Sequence, residues 1–220
     1  MNSPSDLQRI YKQRFESKRT YREAVWNVLI SDFFERYVSR TAAVLDLGCG
    51  YGEFIRLIHC GKKFAMDLNP DSKEGVPPEC EMVIQDCSEP WPLAPATLDV
   101  VFSSNFFEHL PDKNALGRTL DHAQQALKPG GSFIALGPNI TRVPGRYWDF
   151  WDHHIPLSEK SLGEALTNRG FRLRECRASF LPYTMEGKKE AAPWMIALYL
   201  KLPFLWPILG HQFLIVAEKQ

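Results

Sequence analysis

Three glycines fall at alternate positions in VLDLGCGYGEF (Val44 to Phe54), directly behind an apolar run that carries Asp46. Glycine accepts positive φ and lets a ligand approach the main chain. Gly48, Gly50 and Gly52 therefore mark either a tight strand-to-helix turn or a turn shaped around a ligand. A helix opening after such a turn offers unpaired N–H groups and a positive dipole end, which suit a nucleotide-like ligand. The dinucleotide pattern G-x-G-x-x-G would put its third glycine at position 53, where Glu53 stands, and no G-x-x-x-x-G-K-[ST] occurs. Asp46 would repel a pyrophosphate and suits a cationic ligand instead.

The elements that must position this turn follow from periodicity. Residues from about Leu7 to Val38 read as helix in two pieces, with Val25, Leu29, Phe33 and Tyr37 on one apolar face. Five strands then come in order: AAVLDLG, KFAMDLN, EMVIQD, LDVVFSSN and SFIALGP. EFIRLIHC reads as a helix that Gly61 can end, Asp71 to Glu81 as a loop, and Ala115 to Leu127 as a helix stopped by KPGG. Ser158 is an N-cap for a helix running to Arg169, with Gly170 at its C′ position. FRLRECRAS and QFLIVAEK are two last strands. Several strands are continuous apolar runs, as expected when both faces are buried. The expectation is an α/β fold with a doubly wound, mostly parallel seven-stranded sheet and N-terminal helices. One domain is expected over residues 1–220: a helical cap at 1–40, a ligand-binding core at 41–180, an insert at 181–211 and a last strand at 212–220. The insert, rich in proline and aromatics, is long enough to suggest a functional segment.

Composition bounds the class. The 220 residues are 45% hydrophobic and 24% charged, with formal charge zero, so phosphate electrostatics offer little and no nucleic-acid partner is expected. Lys12, Arg14, Lys18, Arg19 and Arg22 read as a solvated helix face. Cys49, Cys60, Cys80, Cys87 and Cys176 are odd in number and contain no C-x-x-C pair, which points to a reducing, cytoplasmic setting and to no zinc site. The N-terminus lacks a signal-peptide apolar region. Trp194 to Leu209 is cut by Lys201, Pro203 and Pro207, too interrupted to span a bilayer. Its partial apolar stripe leaves three readings: core, a lid over an acceptor pocket, or a surface for a partner copy or a lipid. Monomer and homodimer both remain open.

VLDLGCGYGEF, together with AMDLN, IQDCSEPWPL, LDVVFSSNFFEHL and ALKPGGSFIALGPN, resembles the five ordered motifs of the class I S-adenosylmethionine-dependent methyltransferases, over roughly Thr41 to Arg177. YKQRF, YREAVW and DHHIPLSEKSL resemble a bacterial branch that modifies glycans or secondary metabolites. The resemblance implies S-adenosylmethionine as cofactor. It implies that Asp67, with Leu68 beside it, holds the ribose hydroxyls, and that Asp86 and the Cys87 N–H meet the adenine. Gly48 and Gly50 would line the methionine portion, with Asp46 acting partly through loop geometry. Asn105 and Phe106 would touch the amino-acid end or the sulfonium region, and Tyr11, Arg14 and Arg22 are candidates for the carboxylate.

Methyl transfer from a sulfonium is an in-line displacement in which alignment does most of the catalysis, and no metal is expected. A hydroxyl or protonated amine acceptor gains from a general base. His153 and His154, beside Asp152, are the candidates, and His109 lies on the wall of the site. Tyr147, Trp148, Phe150 and Trp151 form either an apolar platform for a small-molecule or glycan acceptor, or core beneath the loop. The expected function is methyl transfer to oxygen or nitrogen of a small-molecule, sugar or lipid-linked acceptor. The alternative is a non-catalytic S-adenosylmethionine-binding protein. A nicotinamide-dependent oxidoreductase is disfavoured by Glu53.

Overall fold

The computed structural model describes residues 19–183 and 191–220. Tyr11 and Arg14 lie outside the described residues. Seven strands, β1 (Ala43–Leu47), β2 (Lys62–Asp67), β3 (Glu81–Ile84), β4 (Leu98–Ser104), β5 (Leu127–Pro138), β6 (Phe171–Arg177) and β7 (Gln212–Lys219), form one sheet in the order β3-β2-β1-β4-β5-β7-β6. The first five run parallel, while β7 lies antiparallel between β5 and β6. The helices are α1 (Arg19–Asp32), α2 (Glu53–Leu57), α3 (Lys113–Ala126), α4 (Glu159–Thr167), α5 (Pro193–Leu200) and α6 (Trp206–Leu209).

Alternation along the strands divides the core between the two faces of the sheet. Leu45, Leu47, Val101, Phe133 and Ile215 pack on one face with Leu116 and Leu120 of α3 and Leu162 and Leu166 of α4. Val44, Val100, Phe102, Ile134 and Leu214 pack on the other with Leu29, Ile30 and Phe33 of the α1 segment, Phe54 and Ile55 of α2, and Trp206. Phe54 stacks on Phe102 at 3.6 Å between centroids, which holds α2 against the sheet centre.

Local signals set the element ends. Ser158 caps α4 in a reciprocal capping box with Ser161, and Gly170 takes φ +80° after it. Asp112 accepts from Ala115 N–H at 2.8 Å, so α3 begins at Lys113, ahead of the expected Ala115. The expected helix EFIRLIHC shortens to Glu53–Leu57, because Ile58 turns extended to feed β2. Gly61 is therefore not its cap: a Cβ there would meet the Thr41 carbonyl oxygen at 2.7 Å, and its N–H bonds to Ala42 O. The expected loop after β2 includes a short 3-10 turn, Pro70–Glu74, capped by Asn69.

The segment between β6 and β7 divides the readings its sequence left open. Leu200 and Trp206 are buried, and Trp206 Nε1–H donates to Tyr199 O at 3.1 Å. Trp194, Met195, Leu198, Phe204, Ile208 and Leu209 are exposed. Among the described residues no helix is long and apolar enough to cross a membrane. The five cysteines, all described, are free thiols.

Burial difference gives a direct test. Trp206→Ala should cost about 3–5 kcal/mol of stability through the cavity it leaves, whereas Trp194→Ala, 67% exposed, should stay within about 0.5 kcal/mol. Denaturant unfolding of the two variants checks this, and equal losses would contradict the packing.

Candidate active site

The sequence-derived candidates among the described residues gather mainly at the carboxyl edge of the parallel strands, where open α/β sheets bind ligands. Gly48, Gly50 and Gly52 take φ of 69°, 54° and 70°, so the turn after β1 uses the left-handed region three times. Gly48 and Cys49 N–H groups both reach Met66 O, at 2.8 and 3.2 Å. A Cβ on Gly48 would lie 2.2 Å from the Phe106 ring. Phe106, from the turn after β4, thus forms a wall directly on the glycine turn.

Asp67 ends β2 and is buried. Its Oδ2 accepts from Gly50 N–H and its Oδ1 from Asn69 N–H, both at 2.8 Å. Burial pushes the Asp67 carboxyl up, while those backbone bonds and the nearby His109 charge pull it back down. Each carboxylate oxygen keeps further acceptor capacity. A vicinal diol is the group that such a pair of oxygens fits. Leu68, half-buried, follows it. Asp46 is also buried, its carboxyl held well above the usual range by burial, and the Ile55 backbone bonds to it. Asp46 ties β1 to α2, the role in loop geometry that its position suggested. With five residues α2 contributes little dipole, so the expected helix-end contribution to ligand binding is not supported.

Arg22 of α1 reaches this loop. Its Nη2 stands 3.0 Å from Glu53 Oε1, and its guanidinium lies 5.7 Å from the Tyr51 ring centroid. Asp86, half-buried, accepts from Ser88 N–H at 2.8 Å through Oδ1, so its turn role is real. The Cys87 thiol is buried against Thr119 Oγ1 at 3.3 Å and pushed up to about 12 by burial, which removes it as a nucleophile. Asn105 is exposed at φ +51°, a conformation costly for a residue other than glycine, and its Nδ2 donates to Ser104 Oγ at 3.0 Å.

A second polar group sits just beyond β4. His109 Nδ1 is 3.0 Å from Asp152 O and 3.3 Å from Asp152 Oδ2, and its Nε2 is 4.0 Å from Glu108 Oε1. Burial alone would lower the His109 imidazole, but the Asp152 bond and the Glu108 charge outweigh it and the net direction is up. Burial raises Glu108, whose side chain is almost fully enclosed. The His153 ring lies 5.0 Å from that of His109 and stacks on Phe150. His154 is brought to the surface instead, and only its backbone N–H, 2.7 Å from Glu108 O, joins the cluster. Glu108 is the residue the sequence reading passed over. Its signal was present in FFEHL, but only the fold brings His153 to it from 45 positions away.

Tyr147 is corrected from acceptor platform to core. It is fully buried, its hydroxyl donates to Ile155 O at 2.5 Å and accepts from Leu157 N–H at 3.3 Å. The loop needs that hydroxyl to satisfy its own buried backbone. Trp148 and Trp151 remain exposed, at 53% and 85%.

The strand order with one antiparallel strand beside β5, and a buried acid closing a glycine turn, define the Rossmann-like fold of S-adenosylmethionine-dependent methyltransferases. The chain belongs to the methyltransferase domain family, which residues 18–175 match. S-adenosylmethionine is the cofactor this membership implies. The chain is 28% identical over 108 residues to sterol 4-C-methyltransferase strm-1 of Caenorhabditis elegans, covering 44% of this chain and 31% of that protein. It is 29% identical over 107 residues to human phenylethanolamine N-methyltransferase, covering 44% and 36%. The matched segment thus spans about a third of each of these curated relatives. A solved S-adenosylmethionine-dependent methyltransferase from Archaeoglobus fulgidus superposes with a TM-score of 0.68 at 22% identity, over 93% of this chain and 99% of the other.

Asp67→Ala is expected to weaken S-adenosylmethionine binding by at least about tenfold, since charge-assisted hydrogen bonds are typically worth ~1.5–3 kcal/mol each. Gly50→Val should abolish it, because φ of 54° excludes a branched side chain. Calorimetry on folded variants checks both, and unchanged affinity would remove these residues from the cofactor site.

Proposed function

We propose that the protein transfers a methyl group from S-adenosylmethionine to oxygen or nitrogen of a small-molecule or sugar acceptor. The observation that carries this reading is Asp67, clamped by Gly50 and Asn69 N–H with its remaining acceptor sites available beside three left-handed glycines. When bound, the cofactor supplies an electrophilic methyl on a sulfonium. Asp67 holds the ribose diol and Asp86 the adenine amine, with Leu68 and the Cys87 backbone alongside. Gly48 and Gly50 carry the methionine portion by main-chain contact. Asn105 and Phe106 would border its reacting end, and Arg22, paired with Glu53 beside the glycine turn, would meet its carboxylate.

On the acceptor side, Glu108, His109, Asp152 and His153 form the polar wall, and Trp148 and Trp151 offer exposed aromatic surface near the same loop. A hydroxyl or ammonium must lose its proton before its lone pair can act as nucleophile, and this wall is where that proton is drawn off. The matched segments of two relatives that methylate a sterol and an amine support a small organic acceptor without fixing which.

The test supplies methyl-labelled S-adenosylmethionine to the purified chain with phenols, sugars, amines and a cell extract, and follows label into product. His153→Ala should reduce turnover by about 100-fold or more, the scale of losing a general base or a ligand that organises the site. His154→Ala, exposed, should retain it within about threefold. Cofactor binding with no labelled product would favour a non-catalytic binding protein.

A further inference from the structure

We propose that Glu108, His109 and His153 form a divalent-cation site of the two-histidine, one-carboxylate kind, with Asp152 orienting His109 from outside. The site itself does not depend on the methyltransferase reading; only its role does.

The three side chains each present one donor atom, and these lie within 4.8 Å of one another. Two of the three residues are buried and His109 is partly so. His109 fixes the logic. Its Nδ1 faces the Asp152 carbonyl oxygen at 3.0 Å and the Asp152 carboxylate at 3.3 Å. Both are acceptors, so Nδ1 carries the proton and the lone pair of a neutral ring falls on Nε2. That lone pair looks toward Glu108 Oε1 at 4.0 Å. A cation placed between Nε2 of the neutral ring and Oε1 would be held by both. A shared proton would draw N and O to about 2.7–2.9 Å. A metal ion with bonds of about 2.1 Å instead holds ligand atoms roughly 3–4 Å apart. The observed spacing is the wider one, and the His153 ring, 5.0 Å from His109 between centroids, supplies the third donor.

The outer shell follows the same pattern. Metal-bound histidines usually give their other N–H to a carboxylate or a carbonyl, which fixes ring orientation. Asp152 offers His109 both. The loop is pinned for this: His154 and Ile155 N–H groups bond to Glu108 O at 2.7 and 3.2 Å, so the chain bearing His153 is tied to the residue that supplies the carboxylate. Two nitrogens, one oxygen and no sulfur favour a first-row ion of the Mn²⁺ to Zn²⁺ range, with positions left for a ligand. The ligand chemistry that such open positions take is an oxygen-bearing acceptor, a hydroxyl above all. Bound there, the hydroxyl gives its proton to solvent more readily, and its oxygen is left as the nucleophile.

The test reads metal, not turnover. The chain is stripped with a chelator and titrated with Mn²⁺, free ion being followed by electron paramagnetic resonance, and with Co²⁺, followed by visible absorption. One ion per chain is expected, with Glu108→Gln and His153→Ala each weakening affinity at least tenfold. Absence of Mn²⁺ and Co²⁺ binding, or equal binding by both variants, overturns the proposal. Should the variants unfold, the wild-type chain alone decides. Bound Mn²⁺ should slow diethylpyrocarbonate modification of His109 and His153, read by mass spectrometry, while exposed His154 reacts as before. Equal rates with and without the ion overturn the site. S-adenosylmethionine affinity of the metal-free wild-type chain is measured in parallel. Its loss would count against the methyltransferase reading and leave the metal result standing.

Discussion

A carboxylate removed from water has to be solvated by something else, and at Asp67 the protein does this with its own backbone. Gly50 and Asn69 N–H groups each take one oxygen. The bond to Gly50 spans 17 positions and ties the end of β2 to the glycine turn after β1. Strand pairing alone would align β1 and β2 but leave the turn unspecified. The same turn also gives the Gly48 and Cys49 N–H groups to Met66 O, so its shape is set from β2 on both sides of the peptide. Desolvation opposes the arrangement and the hydrogen bonds support it, so the acid is stable only while the turn keeps its form. A ligand that adds hydroxyl donors to the same oxygens reinforces both.

The edge of the sheet repeats that solution. Asp46 is buried and held by the Ile55 backbone. Glu108 is buried and faced by His109, and His109 is oriented by Asp152. Below this edge the sheet is apolar on both faces. Asp46 and Asp67 are tolerated there because backbone N–H groups bond to them, and the number of buried polar groups at one edge is what separates a site from a fold. The two groups are also electrically joined, since the charge of His109 lowers Asp67.

The strands were legible because apolar runs of five to seven residues, cut by glycine or by polar turns, have few other interpretations. Asp67 was legible through the resemblance that AMDLN carries at the end of the second strand, while its bond to the glycine turn 17 positions away was not. What the sequence could not carry was any relation across the fold. Gly48 reads as space for a ligand, yet the space beside its Cα is taken up by Phe106, 58 residues on. Tyr147 reads as a platform beside Trp148 and Trp151, but only the folded loop reveals that its hydroxyl answers Ile155 and Leu157. Glu108 goes unread because His153, the histidine the fold brings near it, is remote in sequence. Helix length failed for a local reason. EFIRLIHC has the right spacing, but β2 has to begin at Lys62, and five residues of helix leave just enough chain to turn back.

The segment between β6 and β7 is tied to the end of β5 by a buried polar post. Asn139, at the end of β5, is fully buried. Its N–H bonds to His211 O, and its Nδ2 bonds to Ala178 O at 2.9 Å and to Glu159 Oε2 at 2.7 Å. Phe180 N–H to Gln212 O, and His211 and Gln212 N–H to Leu181 O, close the base of the segment on itself. The chain thus leaves the sheet and returns at nearly one point, and the buried Trp206 and Leu200 fasten its inner side. Asn139 also orders the chain that follows β5, its Oδ1 accepting from Thr141 N–H at 3.1 Å. The cofactor turn lies across β4 from that post, held by bonds that do not involve it. The same segment also reaches the glycine turn, because α5 packs on α1 and Arg22 of α1 pairs with Glu53 beside that turn.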